Sequence, residues 1–212
     1  MVRYKLIRTR RRTIGVAVEN GEVVVRAPLS LGREEIGFFL EKHRDWIEKH
    51  LSDQDLLQDR FASVRAFQTL LVQGKEKTLV LGASRVCETD DVVYLKKLSE
   101  VRSFMRKYYE PLLGDCTAHY TKAVGVMPED LSVRDFKARW GSCDNGKRIK
   151  LNWRLSFLPV SLRDYVIVHE LCHLLYMDHS SAFWKEVGRV LPDYRARRRA
   201  LKDYSFLTLL YR

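Results

Sequence analysis

His169-Glu170-Leu171-Cys172-His173 stands between two apolar runs, residues 165–168 and 174–175. Continuous apolar surroundings of this length predict a buried helix. Histidines four residues apart on a helix share one face, with Cβ atoms roughly 5–6 Å apart, so both imidazoles can reach one ion. Burying these polar side chains without partners would cost several kcal/mol, and a bound metal ion removes that cost. The stretch therefore predicts a metal site on a buried helix.

The glutamate between the histidines predicts the chemistry of the site. Glu170 lies about 100° further round the helix than His169, from where its carboxylate can hold a water at the open position of a metal. The order H-E-x-x-H is typical of zinc hydrolases. The alternative is a chance match on a surface helix with solvated histidines, and the apolar surroundings argue against it. We expect zinc on His169 and His173, with Glu170 as the base.

A third ligand is expected from His179, whose spacing from the second histidine equals that of the longer three-histidine signature. Tyr176 stands where that signature has glycine, so the chain must leave the helix between Tyr176 and Asp178. Asp178 tolerates the left-handed conformation that such a turn requires, and Ser180 or Ser181 can then cap the next helix. The alternative is a surface or capping role for His179, with a distant Glu or Asp as the third ligand.

Composition predicts a cytoplasmic protein without disulfides. A chain of 212 residues with 46% hydrophobic content can form one substantial domain, or a domain with a smaller appendage. No signal-peptide-like apolar stretch follows residues 1–12, and no segment reaches the ~20 apolar residues that span a membrane. The cysteines are far apart and form no C-x-x-C pair: Cys87, Cys116, Cys143 and Cys172.

Positive charge is concentrated in two runs, Arg8–Arg12 and Arg195–Arg199, and the net charge is +11. Such charge attracts anionic partners, so a nucleotide or nucleic acid is a possible partner. The alternative is two solvated faces of a soluble protein, and no motif with base-reading geometry is present. The oligomeric state stays open.

The first part of the chain, residues 1–96, is predicted to be rich in β-structure. Asn20-Gly21 between the β-branched runs 13–18 and 23–25 predicts a hairpin that ends at Pro28. Apolar residues at helical spacing predict one helix over 34–51. A polar connection is expected over 52–66. Short apolar runs then predict three strands, at residues 70–72, 78–81 and 92–95.

The second part, residues 97–212, is predicted to hold the site. A long helix is expected over about 98–124, interrupted or kinked by Pro111 and Gly114 and closed by Gly125. Strands over 131–136 and 148–154, joined by a glycine-bearing loop, are expected to form a hairpin. Ser161 and Asp164 resemble a capping box, which places the start of the ligand helix at Leu162. Two further helices are expected, at residues 181–190 and 193–203.

Five short motifs follow one another along the second part: Trp140-Gly141-Ser142-Cys143, Leu151-Asn152-Trp153-Arg154, His169–His173, His179-Ser180 with Phe183-Trp184, and Pro192-Asp193-Tyr194. In this order they resemble the YgjP-like metallopeptidase family, which is related to the SprT-like and WLM zinc peptidases. The likeness covers most of the chain. It implies an α+β fold with a zincin-like metallopeptidase core, in which a sheet lies against the ligand-bearing helix. It also implies zinc held by His169, His173 and His179, with Glu170 as the catalytic base.

These features predict a metallopeptidase that hydrolyses a polypeptide by means of a zinc-bound water activated by Glu170. An electrophile must also stabilise the oxyanion. The candidates for contacts with the oxyanion or the substrate are Tyr194, Arg139, Tyr176 and Trp140, and Trp184 is expected to form a wall of the site. The strand around residues 151–154 could present an edge to which an extended peptide adds.

Three alternative hypotheses keep the metal. The first is a zinc-dependent nucleoside triphosphate pyrophosphatase in which Arg139 and Arg154 clamp phosphates, although no glycine-rich phosphate loop is present. The second is a nucleic-acid-associated SprT-like protease. The third is a structural zinc, which normally requires a fourth protein ligand. Cys172 is near the histidines but poorly aimed for that role.

Overall fold

The chain forms an α+β structure, as predicted. The computed structural model describes residues 3–19 and 21–211. It contains two compact units, residues 1–62 and 63–212, so the division falls after Ala62 rather than after residue 96. The strands between residues 69 and 95 belong to the second unit, because the turn of their first hairpin forms backbone hydrogen bonds with residues 156 and 157. The backbone N–H groups of Gln73 and Gly74 donate to the carbonyls of Ser156 and Phe157, at 2.8 and 2.9 Å.

The first unit is built on a three-stranded sheet of order β1-β3-β2. Its strands are β1 (Tyr4–Thr9), β2 (Gly15–Glu19) and β3 (Glu22–Pro28). β2 and β3 are antiparallel, which confirms the predicted hairpin, and Asn20 of its turn lies outside the described residues. β1 pairs in parallel with β3 and was not predicted, because Lys5 and Arg8 obscure the alternating Tyr4 and Leu6 that pack on the core.

Two helices follow in the first unit where one was predicted: α1 (Arg33–Lys42) and α2 (Arg44–Arg60). They are separated at His43, whose ring Nδ1 lies 2.8 Å from the carbonyl oxygen of Phe39. That carbonyl would accept the backbone N–H of His43 in a continuous helix, and the N–H donates to Leu40 instead. The predicted polar connection over 52–66 is wrong, because α2 continues to Arg60 and α3 occupies Ala62–Arg65.

The second unit begins with a four-stranded sheet of order β4-β5-β7-β6. Its strands are β4 (Thr69–Val72), β5 (Lys75–Leu81), β6 (Cys87–Glu88) and β7 (Val92–Leu95). A 3-10 turn, Leu98–Glu100, leads into α4 (Val101–Val124). α4 runs through Pro111 and Gly114 without the expected interruption and ends at Gly125, which has the left-handed conformation at φ 77°.

A second sheet in this unit has the order β8-β10-β9. Its strands are β8 (Asp130–Arg134), β9 (Gly141–Cys143) and β10 (Arg148–Asn152). The predicted hairpin of the first and last of these is wrong, because β8 is parallel to β10 and the hairpin is formed by β9 and β10. β10 is therefore central, with Leu151 opposite both Gly141 and Val133, and it offers no free edge to a peptide.

The ligand-bearing helix, α5 (Val160–Cys172), follows a 3-10 turn over Trp153–Phe157. The predicted capping box is wrong: Pro159 is the N-cap residue, and no side chain caps the helix. The Asp164 carboxylate instead accepts hydrogen bonds from Arg163 and from the Tyr120 hydroxyl. Most of α5 is buried, as its apolar sequence predicts.

Two helices and a 3-10 segment complete the second unit: α6 (Ser181–Val190), α7 (Tyr194–Ala200) and Leu201–Leu209. α6 agrees with its predicted bounds, whereas α7 is shorter than predicted because the chain tightens to 3-10 geometry at Leu201. None of the described helices combines the length and apolar character needed to cross a bilayer.

The turn between β4 and β5 packs against the start of the ligand-bearing helix, and substitution of its glycine tests this contact. Gly74 has φ +81°, and a Cβ there would lie 2.6–2.8 Å from Pro159, the N-cap residue of α5. We expect Gly74→Ala to lower the free energy of unfolding by more than about 2 kcal/mol, since it adds a clash to backbone strain.

Gly82→Ala is the matched control. Gly82 has φ +84° and open space around its Cβ position, so its cost is strain alone, about 1 kcal/mol. Urea unfolding of both variants gives the comparison. Equal losses would show that the contact with Pro159 contributes nothing.

Candidate metal centre

The two histidines of the helical motif project from one face of α5. His169 and His173 are one turn apart, and their Nε2 atoms lie 3.2 Å from each other. In neutral imidazoles each of these nitrogens is a donor or an acceptor, depending on the tautomer. A cation placed between two acceptor nitrogens satisfies both lone pairs at once.

His179 adds a third nitrogen from the segment between α5 and α6. Its Nε2 lies 3.3 Å from Nε2 of His169. The donor atoms of the three histidines all lie within 4.8 Å of one another. In the part of the chain that the structure describes, this group contains no carboxylate and no thiol. The structure thus brings together the three predicted ligands, and the donor set suits a transition-metal ion.

The chain reaches His179 by a different route from the one predicted. α5 ends at Cys172, earlier than expected, and the N–H of Tyr176 donates to the carbonyl of Cys172 at 3.0 Å. Asp178 does not have the left-handed conformation. Its carboxylate instead accepts a hydrogen bond from the N–H of Ser180 at 3.1 Å. Ser180 caps α6 by accepting from the N–H of Phe183, so the predicted cap is confirmed.

The outer nitrogens of the rings indicate which tautomers are present. Nδ1 of His173 lies 3.0 Å from the carbonyl oxygen of Tyr176, so it carries the proton and leaves the Nε2 lone pair free. Nδ1 of His169 is buried, with no hydrogen-bond partner among the described residues. An orphan of this kind costs about 1–3 kcal/mol. Nε2 of His169 lies 3.2 and 3.3 Å from Nε2 of the other two histidines and can bind an ion with them, so the residues fit a metal.

Burial keeps these rings neutral. Burial lowers the pKa of His169 to about 3, and the charges of His173, His179 and Arg198 lower it further. Burial also lowers the pKa of His173, although its bond to the Tyr176 carbonyl acts in the opposite direction. Neutral imidazole is the form that binds metals, so these rings are ready to act as ligands near neutral pH.

Aromatic side chains of α6 enclose the histidines. The Phe183 ring stacks on His173, with centroids 4.5 Å apart. The Trp184 ring lies 5.6 Å from that of His179, in agreement with its predicted place in the wall. Phe183 was not singled out from the sequence, although its position three residues after the capping Ser180 placed it in the first turn of α6. These rings exclude water from one side of the centre.

Glu170 lies beside the histidines in a tightly packed position. It is 7% exposed, and burial raises its pKa to about 7, while the positive charge of Arg139 acts to lower it. A divalent cation nearby would lower this pKa further. An ideal Cβ on Gly141 would lie 2.8 Å from the Glu170 carboxyl group, so only glycine fits in β9 at this point. Glycine in the predicted W-G-S-C motif is therefore part of the site.

The other candidates for contacts with the oxyanion or the substrate differ in their surroundings. The Tyr194 ring stacks on Trp184, with centroids 5.4 Å apart, and Trp184 in turn lies against His179, so Tyr194 borders the centre. Tyr176 is exposed and contributes its carbonyl to His173. Trp140 contributes its carbonyl, which accepts the N–H of Asn152 at 2.8 Å.

Of the two arginines considered as phosphate clamps, only one is available. Arg139 is exposed, and its charge reaches Glu170. Arg154 is 1% exposed and makes a short ion pair with Asp135. Its Nε also donates to the carbonyl of Leu210 at 2.9 Å. Arg154 therefore anchors the end of the chain and is not free to bind a substrate.

Comparisons with known proteins identify the family of the chain. The model of the YgjP-like family, described as a metallopeptidase domain, matches residues 12–204. The chain therefore belongs to the YgjP-like metallopeptidase family, which confirms the resemblance found in its motifs. No curated protein matches the chain. Among solved structures, the metallopeptidase zymogen abylysin of Pyrococcus abyssi is similar over 43% of this chain and 93% of its own, with 23% identity and a TM-score of 0.41.

The role of His179 can be tested by metal analysis. We expect His179→Ala to bind its metal at least about 100-fold more weakly, since even the loss of groups that orient ligands costs 10–100-fold. The measurement is metal content after dialysis against a competing chelator. His119→Ala, which changes an exposed histidine on α4, is the control and should retain the metal. Unchanged metal content in His179→Ala would point to an acidic third ligand.

Proposed function

We propose that the protein is a zinc-dependent peptidase, with zinc held by His169, His173 and His179 and with Glu170 as the general base. The observation that supports this most directly is the convergence of three Nε2 atoms beside a buried carboxylate. The family is one of metallopeptidases, and the metal and the mechanism are inferred from the side chains.

The donor set favours zinc in a catalytic role. Ligands at the usual Zn–N distance stand about 3.3–3.4 Å apart on a tetrahedron, close to the 3.2 and 3.3 Å between the imidazole nitrogens. Structural zinc sites have four protein ligands, whereas catalytic ones have three and an open position. The group here has three, and Cys172 is not a member of it. These facts argue against the structural-zinc hypothesis.

Glu170 would carry the proton in the reaction. Zinc on three imidazoles supplies Lewis acidity, polarising a carbonyl group and making water acidic near neutral pH. A carboxylate oxygen of Glu170 accepts a proton from the attacking water and delivers it to the leaving amine nitrogen. Burial shields this carboxylate from solvent. The close approach of Gly141 limits where the carboxylate can lie.

A polypeptide substrate would lie along β9. This short strand pairs with β10 on one side, and no strand of the described residues pairs with it on the other. Because Gly141 of β9 touches Glu170, an extended peptide added to the free edge would run past the base. The predicted edge on residues 151–154 is replaced by this one. Arg139, just before β9, and Tyr194, which stacks on Trp184, are candidates for stabilising an oxyanion.

The pyrophosphatase hypothesis receives less support. Arg139 and Arg154 were the arginines expected to clamp phosphates, and Arg154 is buried against Asp135. Parallel assays of the zinc-loaded protein on unfolded protein and on a panel of nucleoside triphosphates distinguish the two activities.

Substitution of the base separates chemistry from metal binding. We expect Glu170→Gln to keep its zinc and to lose about 10²–10⁴ in turnover, the usual contribution of a general base. Zinc content and hydrolysis of unfolded protein are measured on the same sample. Glu129→Gln, an exposed change before β8, is the control and should retain activity. Wild-type turnover in Glu170→Gln would remove Glu170 from the mechanism.

The contact with β9 gives a second test. Gly141→Ala places a methyl group where the Glu170 carboxyl now lies, so the base must shift. We expect kcat to fall by about 100-fold, as for a displacement of roughly 1 Å, with zinc content unchanged. Gly114→Ala, which adds a methyl group in open space on α4, should leave kcat unaltered. The contact would be irrelevant to catalysis if both variants kept full activity.

A further inference from the structure

One arginine of the basic run on α7, Arg198, stacks on the ring of Trp184. Arg195 donates to the Tyr194 hydroxyl at 3.3 Å, and Arg197 is bonded to the Asp193 carboxylate and to a carbonyl of α5. The Arg198 guanidinium has no hydrogen bond or ion pair within the described residues. Its Cζ lies over the Trp184 ring, 4.7 Å from the centroid.

This position brings Arg198 close to the metal centre. The Trp184 ring beneath it lies 5.6 Å from the ring of His179 and 5.9 Å from that of His169. The guanidinium therefore lies within electrostatic reach of the ligand face of α5.

Arg198 is exposed, so water can hydrate its donors. The ring on which it stacks lies beside two of the three imidazoles that fit a metal cation, and like charges at short range repel. Stacking on Trp184 fixes the plane of the guanidinium and leaves the N–H groups of its edge unused. An anion bound between Arg198 and the centre would relieve the repulsion and fill those donors.

We propose that Arg198 binds a carboxylate of the polypeptide substrate beside the scissile bond, so that the enzyme prefers acidic sequences. The inference rests on the proposed peptidase function, because it concerns the substrate of that site. A single guanidinium on an aromatic platform suits one carboxylate held by two parallel hydrogen bonds. Binding a nucleic acid instead requires several cations along a backbone, and Arg195 and Arg197 on the same helix already have protein partners, which leaves Arg198 and Arg199.

The test measures binding apart from turnover. Zinc-loaded Glu170→Gln protein is titrated into three fluorescein-labelled unfolded peptides, followed by anisotropy. The first is end-blocked and carries glutamates, the second is its end-blocked glutamine counterpart, and the third is the glutamine peptide with a free C-terminal carboxylate. The titrations are repeated with Arg198→Gln or Arg198→Lys added. Arg199→Gln, which removes the same charge from the same helix, is the control.

We expect the glutamate peptide to bind about five- to tenfold more tightly than the end-blocked glutamine peptide, as for a partly exposed charge pair. This preference should disappear in Arg198→Gln, persist in part in Arg198→Lys and remain in Arg199→Gln. If only the free C-terminus confers the Arg198-dependent gain, the carboxylate bound is the terminal one. Equal binding of all three peptides, or an equal loss in Arg199→Gln, overturns the proposal.

Two further results separate this inference from others. A single-stranded oligonucleotide that binds more tightly than the glutamate peptide, with the same dependence on Arg198, would overturn it and identify a phosphate as the bound group. Cleavage of the same peptides by protein with Glu170 intact tests the peptidase function itself. Absence of cleavage together with Arg198-dependent binding would contradict the proposed function and leave the carboxylate site standing.

Discussion

The structure of the second unit depends on three imidazole nitrogens that point at one another. Their donor atoms lie within 4.8 Å of one another, and Nδ1 of His169 is buried without a hydrogen-bond partner among the described residues. Without a cation, the imidazole nitrogens would lose hydrogen bonds to water on folding and would not form equivalent bonds within the protein. The burial of α5, the stacking of Phe183 and the capped start of α6 all serve to hold it.

The same constraint extends to the sheet through one glycine. β9 approaches α5 so closely that Gly141 has no room for a side chain beside Glu170. The strand thereby limits the space for the carboxylate on one side. A larger side chain would push the strand from the helix and open the site to water, so the close approach links the geometry of the sheet to the chemistry.

The sequence predicted features that depend on residues close together in the chain. It was misleading for features that depend on contacts between distant residues. The spacing of His169, His173 and His179 predicted the group that the structure brings together, and Asn-Gly predicted the first hairpin. The parallel pairing of β8 with β10 could not be predicted from the order of the strands, because it depends on contacts between residues that are far apart in the sequence. The break at His43 was hidden for another reason: Ile36, Leu40 and Ile47 keep helical spacing on both sides of it.

Arg154 and Arg198 show that burial determines whether an arginine needs a partner within the protein. Arg154 is removed from water, so its charge must be matched within the protein, and Asp135 together with the carbonyl of Leu210 does so. Arg198 is exposed and can keep its donors hydrated, so nothing in the fold requires an internal partner for it. Its place on the Trp184 ring is then better explained by what approaches the centre from solvent than by stability. A cation kept near a metal site in this way favours anionic groups of the substrate and repels cationic ones, which gives selectivity without any change to the reacting groups.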